Sequence, residues 1–295
     1  MLYNNFHLLY YKKRPNIELQ SYKKKLNATN KNDKIRQFDF YFIVTDSKIH
    51  LMDAFILAAG LGTRLSPLTD KRPKALVEVD GISLLEINIR KLTKIGFMHI
   101  VVNIHHFADM MRSCINSHNW DCDISISDES DLLLDTGGAL RKAEHLFKSD
   151  TVLVHNVDIL TDIDINAMTA YHYSSGNMAT LAASRRITSR YLLTDTENRL
   201  VGWKNTASDE IRWVDKPQSD VSDFAFSGIS LISKNLIHKL PTPDHPYPII
   251  PEYLRLAINN PIGIFEHCAS NWLDVGKKET LANASAFMKE HPSAR

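Results

Sequence analysis

The apolar positions of this chain fall into two regimes that meet at Met52. In residues 1–51, runs such as Lys23-Lys24-Lys25 and Asn27-Ala28-Thr29-Asn30-Lys31-Asn32-Asp33-Lys34 follow neither helical nor strand periodicity, so a disordered leader is expected there. After Met52, buried runs alternate with helical spacing. Residues 55–59 are continuously apolar and closed by a glycine, the pattern of a strand buried on both faces. Residues 84–96 space their apolar side chains by three and four and stop at Gly96, which predicts a helix. Residues 99–104 read as a second buried strand, 107–117 as a helix, 124–127 as an alternating strand, 138–147 as a helix, and 151–156 as a strand leading to Asp158. This βαβα succession implies an α/β fold: a Rossmann-like, mainly parallel sheet flanked by helices. Ligands of such sheets bind beyond the carboxyl ends of the strands, where Gly60, Asn103, Asp128 and Asp158 all fall.

Composition narrows the class. A chain of 295 residues with 44% hydrophobic content can bury a sizeable core, here expected as one domain over residues 52–290. The formal net charge of +1 gives no whole-protein reason for a nucleic-acid or membrane partner. The basic surplus is local: residues 1–51 carry ten Lys or Arg against four Asp or Glu. Met52 stands immediately before the first strand, so it is expected to be the natural start, with a solvated leader or a nucleic-acid arm as the other readings of the preceding stretch. Cys114, Cys122 and Cys268 are odd in number and lack metal-site spacing, which favours free thiols in a reducing cytoplasm. No apolar stretch reaches the roughly 18–20 residues that span a bilayer. Nothing in the sequence sets an oligomeric state.

The chemistry concentrates after the first strand. In Ala58-Ala59-Gly60-Leu61-Gly62-Thr63-Arg64, two glycines let backbone N–H groups approach an anion, and the Arg64 guanidinium can add bidentate phosphate contacts. The loop is neither a dinucleotide-binding G-x-G-x-x-G nor a P-loop, because position 65 is Leu and no Gly-Lys-Ser/Thr follows. Ten residues beyond it, Pro73 and the apolar run 75–77 flank Lys74 and hold its ammonium in a fixed place.

Gly60-Leu61-Gly62-Thr63-Arg64-Leu65-Ser66-Pro67-Leu68-Thr69 with Pro73-Lys74 resembles the opening signature of the sugar-phosphate nucleotidyltransferases. The resemblance covers residues 52–285 or so and implies that family's α/β fold with a smaller sugar-binding region. It implies nucleotide contacts from Ala58, Ala59, Gly60, Leu61, Gly62 and Thr63, and catalytic charge from Arg64 and Lys74. Leu134-Asp135-Thr136-Gly137-Gly138-Ala139-Leu140 is similar to the family's base-recognition turn, with Thr136 and Gly137 at the nucleotide and Gly138 toward the sugar. As a helix start, the same stretch is expected to cap residues 138–147 through Asp135 or Thr136. Asn156-Val157-Asp158 and Trp272-Leu273-Asp274-Val275-Gly276 resemble the motifs that supply two carboxylates to Mg²⁺, an ion that seldom takes an all-protein cage. Val214-Asp215-Lys216-Pro217 resembles the acidic-Lys-Pro stretch whose lysine holds the sugar phosphate, although Asp215 stands where Glu is commoner. Phe226-Ser227-Gly228-Ile229 resembles the segment that closes over the sugar.

The implied partners are a nucleoside triphosphate and a sugar 1-phosphate, with Mg²⁺ as cofactor. The absence of C-terminal repeats brings the chain nearest to N-acetylmuramate 1-phosphate uridylyltransferases, with mannose or heptose 1-phosphate guanylyltransferases as the second reading. A non-catalytic regulatory homologue would be expected to lose a metal carboxylate or a phosphate lysine, and this sequence keeps both. A nicotinamide oxidoreductase lacks support because the third glycine is missing.

Overall fold

Alternation across the first strand decides the layering. Along Asp53–Leu57 (β1), Ala54 and Ile56 enter one apolar core and Phe55 enters the other, because successive strand side chains point to opposite faces. A computed structural model describes residues 52–217, 220–267 and 270–294 of the chain. The expectations for residues 1–51 and for Cys268 lie outside the described residues.

The remaining strands are β2 (Glu78–Val79), β3 (Ile82–Ser83), β4 (His99–Ile104), β5 (Asp123–Asp128), β6 (Thr151–Asn156) and β7 (Ile159–Thr161). Further along come β8 (Ala179–Ser184), β9 (Arg190–Thr194), β10 (Leu200–Asn205), β11 (Glu210–Trp213), β12 (Ser222–Ser233), β13 (Ile262–Glu266) and β14 (Trp272–Asp274). The main sheet runs β11-β10-β9-β12-β6-β1-β4-β5, with β8 also paired to β12 and β13 to β8. Its central strands β5, β4, β1 and β6 are parallel, as the buried runs predict. Beyond β6 the sheet continues antiparallel through β12, β9, β10 and β11. The chain steps from β1 outward through β4 to β5, then returns to β6 on the other side of β1. That reversal opens a crevice at the carboxyl ends of β1 and β6, where ligands of such sheets bind.

One face is covered by helices Leu84–Ile95 and Ala108–Ser117, which bring Leu85, Ile89, Leu92, Met111 and Ile115 against Ile56, Val102 and Leu153. Helix Leu84–Ile95 is capped by Ser83 Oγ, which accepts the Glu86 N–H, and it ends at Gly96 with φ 123° as expected. The other face packs Ala139 and Leu140 of helix Asp135–Lys142, with Tyr253, Leu254 and Leu256 of helix Ile249–Ala257, on Phe55, Val101 and Val152. Phe55 and Phe147 meet edge to face at 5.6 Å. Among the described residues no helix is long and apolar enough to cross a membrane.

The third helix departs from its predicted bounds. It starts at Asp135 rather than 138, its last turn tightens to a 3-10 turn at Ala143–Leu146, and neither Asp135 nor Thr136 caps it. The reason is tertiary. The Thr136 hydroxyl accepts the Ile249 N–H at 2.9 Å and so serves the start of helix Ile249–Ala257 instead. The Gly137 and Gly138 amides both donate to the Tyr247 carbonyl.

Candidate active site

The glycine loop leaves β1 directly into the crevice. Gly62 adopts φ 67°, a left-handed turn that glycine makes without strain, and it brings the loop against Thr69 and Lys74. Thr69 Oγ1 donates to the Gly62 carbonyl at 2.9 Å and closes the turn. The N–H groups of Gly60, Leu61, Gly62 and Thr63 have no acceptor among the described residues, which leaves an anion-seeking edge. Ala58 and Ala59 do not join it. Their amides donate to Asn103 Oδ1 at 2.6 and 3.2 Å, so the open amides of the predicted stretch are those of residues 60–63.

Across the crevice, β7 and β14 form a short antiparallel ladder in which Asp274 pairs with Ile159, and the Val275 N–H donates to the Asp158 carbonyl at 2.9 Å. This brings the two predicted metal carboxylates, 116 positions apart in the chain, side by side, Asp158 in the turn just before β7 and Asp274 at the end of β14. Lys74 forms an ion pair with Asp158 Oδ2. The Arg64 guanidinium completes the group. A Cβ built on Gly276 would lie 2.7 Å from Asp274 Oδ1 and 2.8 Å from both Arg64 Nη2 and Asp158 Oδ2. Gly276 also donates its N–H to Asp274 Oδ1 at 2.7 Å. Burial, and then the neighbouring Asp158 carboxylate, push the Asp274 pKa above the usual range; the Gly276 amide, Lys74 and Arg64 pull it back. The structure therefore brings Arg64, Lys74, Asp158 and Asp274 together as one electrostatic unit.

A buried chain of hydrogen bonds, not predicted from the sequence, ties this loop to the segment before Asp135. Asn103 accepts the Ala58 and Ala59 amides and donates Nδ2–H to Glu129 Oε1 at 2.7 Å; Glu129 Oε2 accepts the Leu134 N–H at 3.0 Å. Glu129 is fully buried, and that burial raises its pKa against the two hydrogen bonds. Replacing Glu129 with Ala strands two buried donors at about 1–3 kcal/mol each, so a stability loss of about 2–6 kcal/mol is expected in denaturant unfolding. Glu129→Gln should also destabilise, since its amide can accept from only one of the two donors. An unchanged midpoint in both variants would show that the network carries no weight.

The base-turn residues are in place but occupied. Gly137 and Gly138 are buried against Tyr247, whose ring lies 2.6 Å from where a Gly137 Cβ would be. Their amides donate within the protein, and the Thr136 hydroxyl accepts the Ile249 N–H, so of this predicted set only the Thr136 O–H keeps a donor for a ligand.

The sugar side departs further from expectation. Asp215 lines a cavity of about 570 Å³ together with Asn177, Asn259 and Ile262. Ala179 and Val152 both pair with Ile232, so the adjoining start of β8 is level with the start of β6, at the opposite end from Asp158. The stretch is carried there by the β10–β11 hairpin, which the Val214 N–H extends by donating to the Val201 carbonyl at 2.9 Å. Lys216 is exposed and touches none of Arg64, Lys74, Asp158 and Asp274 among the described residues. Ser227 is fully buried and its hydroxyl meets Arg186 Nη1 at 3.0 Å and His267 Nε2 at 2.6 Å rather than the crevice. Gly228, with φ 75°, packs on Asn156 and Ile159 beneath the carboxylates. Nothing in the sequence pattern marks Arg186 or Glu129 as a site residue. The only local signal for Arg186 is a pair of arginines directly after a buried strand.

A sheet covered by helices on both faces, whose switch-point crevice holds an amide loop, two cations and two carboxylates, defines an enzyme class built for phosphate transfer. A profile of the Nucleotidyl transferase family matches residues 53–291, and the chain belongs to that family. An N-acetylmuramate alpha-1-phosphate uridylyltransferase of Caulobacter vibrioides is 29% identical over 249 residues, covering 80% of this chain and 97% of that protein. A mannose-1-phosphate guanyltransferase of Debaryomyces hansenii is 26% identical, covering 82% of this chain and 67% of its own. In fold, HddC from Yersinia pseudotuberculosis, solved in complex with GMP-PN, superposes with a TM-score of 0.63 at 20% identity over 79% of this chain and 98% of that one.

Proposed function

We propose that the chain transfers a uridylyl group from UTP to N-acetylmuramate 1-phosphate, releasing pyrophosphate, with Mg²⁺ as cofactor. The observation that carries this reading is the convergence of Arg64, Lys74, Asp158 and Asp274 around Gly276, beside the open amides of residues 60–63. The uridylyltransferase relative, which this chain spans almost end to end, supports the choice of substrates.

The donor set fits a hard divalent cation. Two carboxylates face one cradle, and no cluster of three or more Asp, Glu, His or Cys forms there among the described residues, so water and phosphate oxygens would complete the shell. Mg²⁺ held by Asp158 and Asp274 would supply charge neutralisation between the phosphate groups. The residues of the chain do the rest. The amides of residues 60–63 and Arg64 hold the triphosphate, and Lys74 keeps two of its three N–H groups for phosphate oxygens while one meets Asp158. A phosphate monoester is mostly a dianion at neutral pH, so its oxygen attacks the α-phosphorus without a general base. A new P–O bond forms as the bond to the bridging oxygen of the leaving pyrophosphate breaks. The obstacle is repulsion between anions, and fixed cations and dipoles remove it. These substrates place the reaction in the cytoplasm, where nucleoside triphosphates are available.

A second reading, GTP with mannose 1-phosphate, has the guanyltransferase relative behind it. Pyrophosphate release across four nucleoside triphosphates and a panel of sugar 1-phosphates separates the two. UTP with N-acetylmuramate 1-phosphate is expected to give the highest kcat/KM, to stop on chelation and to return with Mg²⁺. A maximum with GTP and mannose 1-phosphate would install the second reading, and no release with any pair would end both.

A further inference from the structure

Trp272 and Asp274 are two residues apart on β14 and so share one face of it. Arg186 lies on that face, its guanidinium carbon 3.9 Å from the Trp272 ring centroid. Asp274 is near enough for its charge to raise the guanidinium pKa, opposing the larger lowering caused by burial. Arg186 is therefore beside the carboxylate unit but not part of the Arg64–Lys74 group.

Its hydrogen bonds leave half of its fork unused. Nη1 donates to Ser184 Oγ at 3.1 Å and to the Ala225 carbonyl and Ser227 Oγ, each at 3.0 Å, while Nη2 donates to the Phe226 carbonyl. A guanidinium has five N–H groups. Nε–H and one N–H of Nη2 have no acceptor among the described residues, and no carboxylate forms an ion pair with the group there. Its neighbour Arg185 differs: it is exposed and paired with Glu266 at 2.9 Å. A half-buried cation whose nearest carboxylate, Asp274, forms no ion pair with it among the described residues is stabilised further by a bound anion. The stack on Trp272 and the hold from the 225–227 segment fix the fork in one orientation, as a bidentate oxyanion site requires.

The hairpin β10–β11 carries Asp215 to another cavity, and among the described residues Lys216 makes no ion pair or hydrogen bond with the crevice groups. We infer that Arg186 binds an oxyanion of the sugar substrate, in the place predicted for Lys216. This rests on reading the crevice as a sugar 1-phosphate nucleotidyl-transfer site. The oxyanion is either the 1-phosphate or a carboxylate on the sugar, groups that a guanidinium fork receives alike.

Steady-state kinetics of Arg186→Gln and Arg186→Lys test this with two acceptors: N-acetylmuramate 1-phosphate, and N-acetylglucosamine 1-phosphate, which lacks the lactyl carboxylate. Losing a charged hydrogen bond should raise the KM for the sugar phosphate about 10- to 100-fold in R186Q, with the KM for nucleotide unchanged within about twofold. Arg186→Lys keeps the charge and should fall between. Equal penalties on both acceptors identify the phosphate; a penalty confined to N-acetylmuramate 1-phosphate identifies the carboxylate. An unchanged sugar KM, or a nucleotide KM that rises in step, overturns the inference. If thermal melting shows R186Q unfolded, the same criteria apply to R186K. Calorimetric titration of each sugar 1-phosphate without nucleotide separates the two layers of argument. Failure of the wild type to turn over any substrate pair sinks the transfer reading, whereas equal binding by wild type and R186K sinks the role of Arg186.

Discussion

Asp158→Asn is expected to lower kcat for pyrophosphate release by about 10³-fold while leaving the far-ultraviolet circular dichroism unchanged. The substitution keeps the side-chain volume at a position held by main-chain bonds, since the Val275 N–H donates to the Asp158 carbonyl. What changes is charge. Asp158 supplies one of the two carboxylates of the cradle and is the ion-pair partner of Lys74. With Asn, the cradle loses half of its negative charge, and an amide N–H can turn toward an ammonium that is 13% exposed. Lys74 then loses the contact that aims it at the crevice, so positioning and electrostatic preorganisation fail together. Turnover within about tenfold of wild type would remove Asp158 from the reaction. Calorimetry of Mg²⁺ with nucleotide should show the loss independently of chemistry.

The parts of this site that could be read from the sequence are those attached to buried strands. β1, β4 and β6 announce themselves as unbroken apolar runs, so the loop after Leu57 and Asp158 after Asn156 are placed as soon as the strands are. Asp274 is legible only through the family resemblance of Trp272–Gly276, since its pairing with Ile159 is tertiary. The parts that could not be read depend on partners far away in the chain. Two glycines at 137 and 138 look like a break before a helix, yet the helix starts at Asp135 because Tyr247 and Ile249 receive that turn. The Ala58 and Ala59 amides look available until Asn103, held by Glu129, reaches them. Asp215-Lys216 has the right local composition, but the β10–β11 hairpin ahead of it sets its location, and short half-exposed strands such as Glu210–Trp213 leave little periodicity to read. Arg186 has the converse history, an unmarked arginine that tertiary structure sets beside Trp272 and Asp274.

Gly276→Ala should cost about 10²-fold in kcat/KM although it adds one methyl group and removes no charge. Gly276 does not need to be glycine for its backbone, because it is absent from the positive-φ positions and any residue could adopt its conformation. It is buried, and the space beside its Cα is the cradle itself, bounded by Asp274 Oδ1, Arg64 Nη2 and Asp158 Oδ2 within 2.8 Å of the added carbon. Those atoms must retreat by several tenths of an ångström or more. Arg64 can do so by swinging its exposed, flexible side chain, but the two short carboxylates can move only by rotating away from each other. The fold should therefore survive with a small change in melting temperature, while the carboxylates lose the shared geometry that a single cation requires. Arg64→Ala separates the two causes, since it removes the guanidinium from the contact and leaves only the carboxylates to be displaced. Should Gly276→Ala lose activity only through Arg64, the double variant Arg64→Ala/Gly276→Ala would be no worse than Arg64→Ala alone. The crowding at Asp158 and Asp274 instead predicts a further loss in the double variant, together with weaker Mg²⁺ binding in calorimetry. Wild-type kinetics in Gly276→Ala would mean that the cradle is looser in solution than these distances allow and would defeat the assignment of the carboxylate pair.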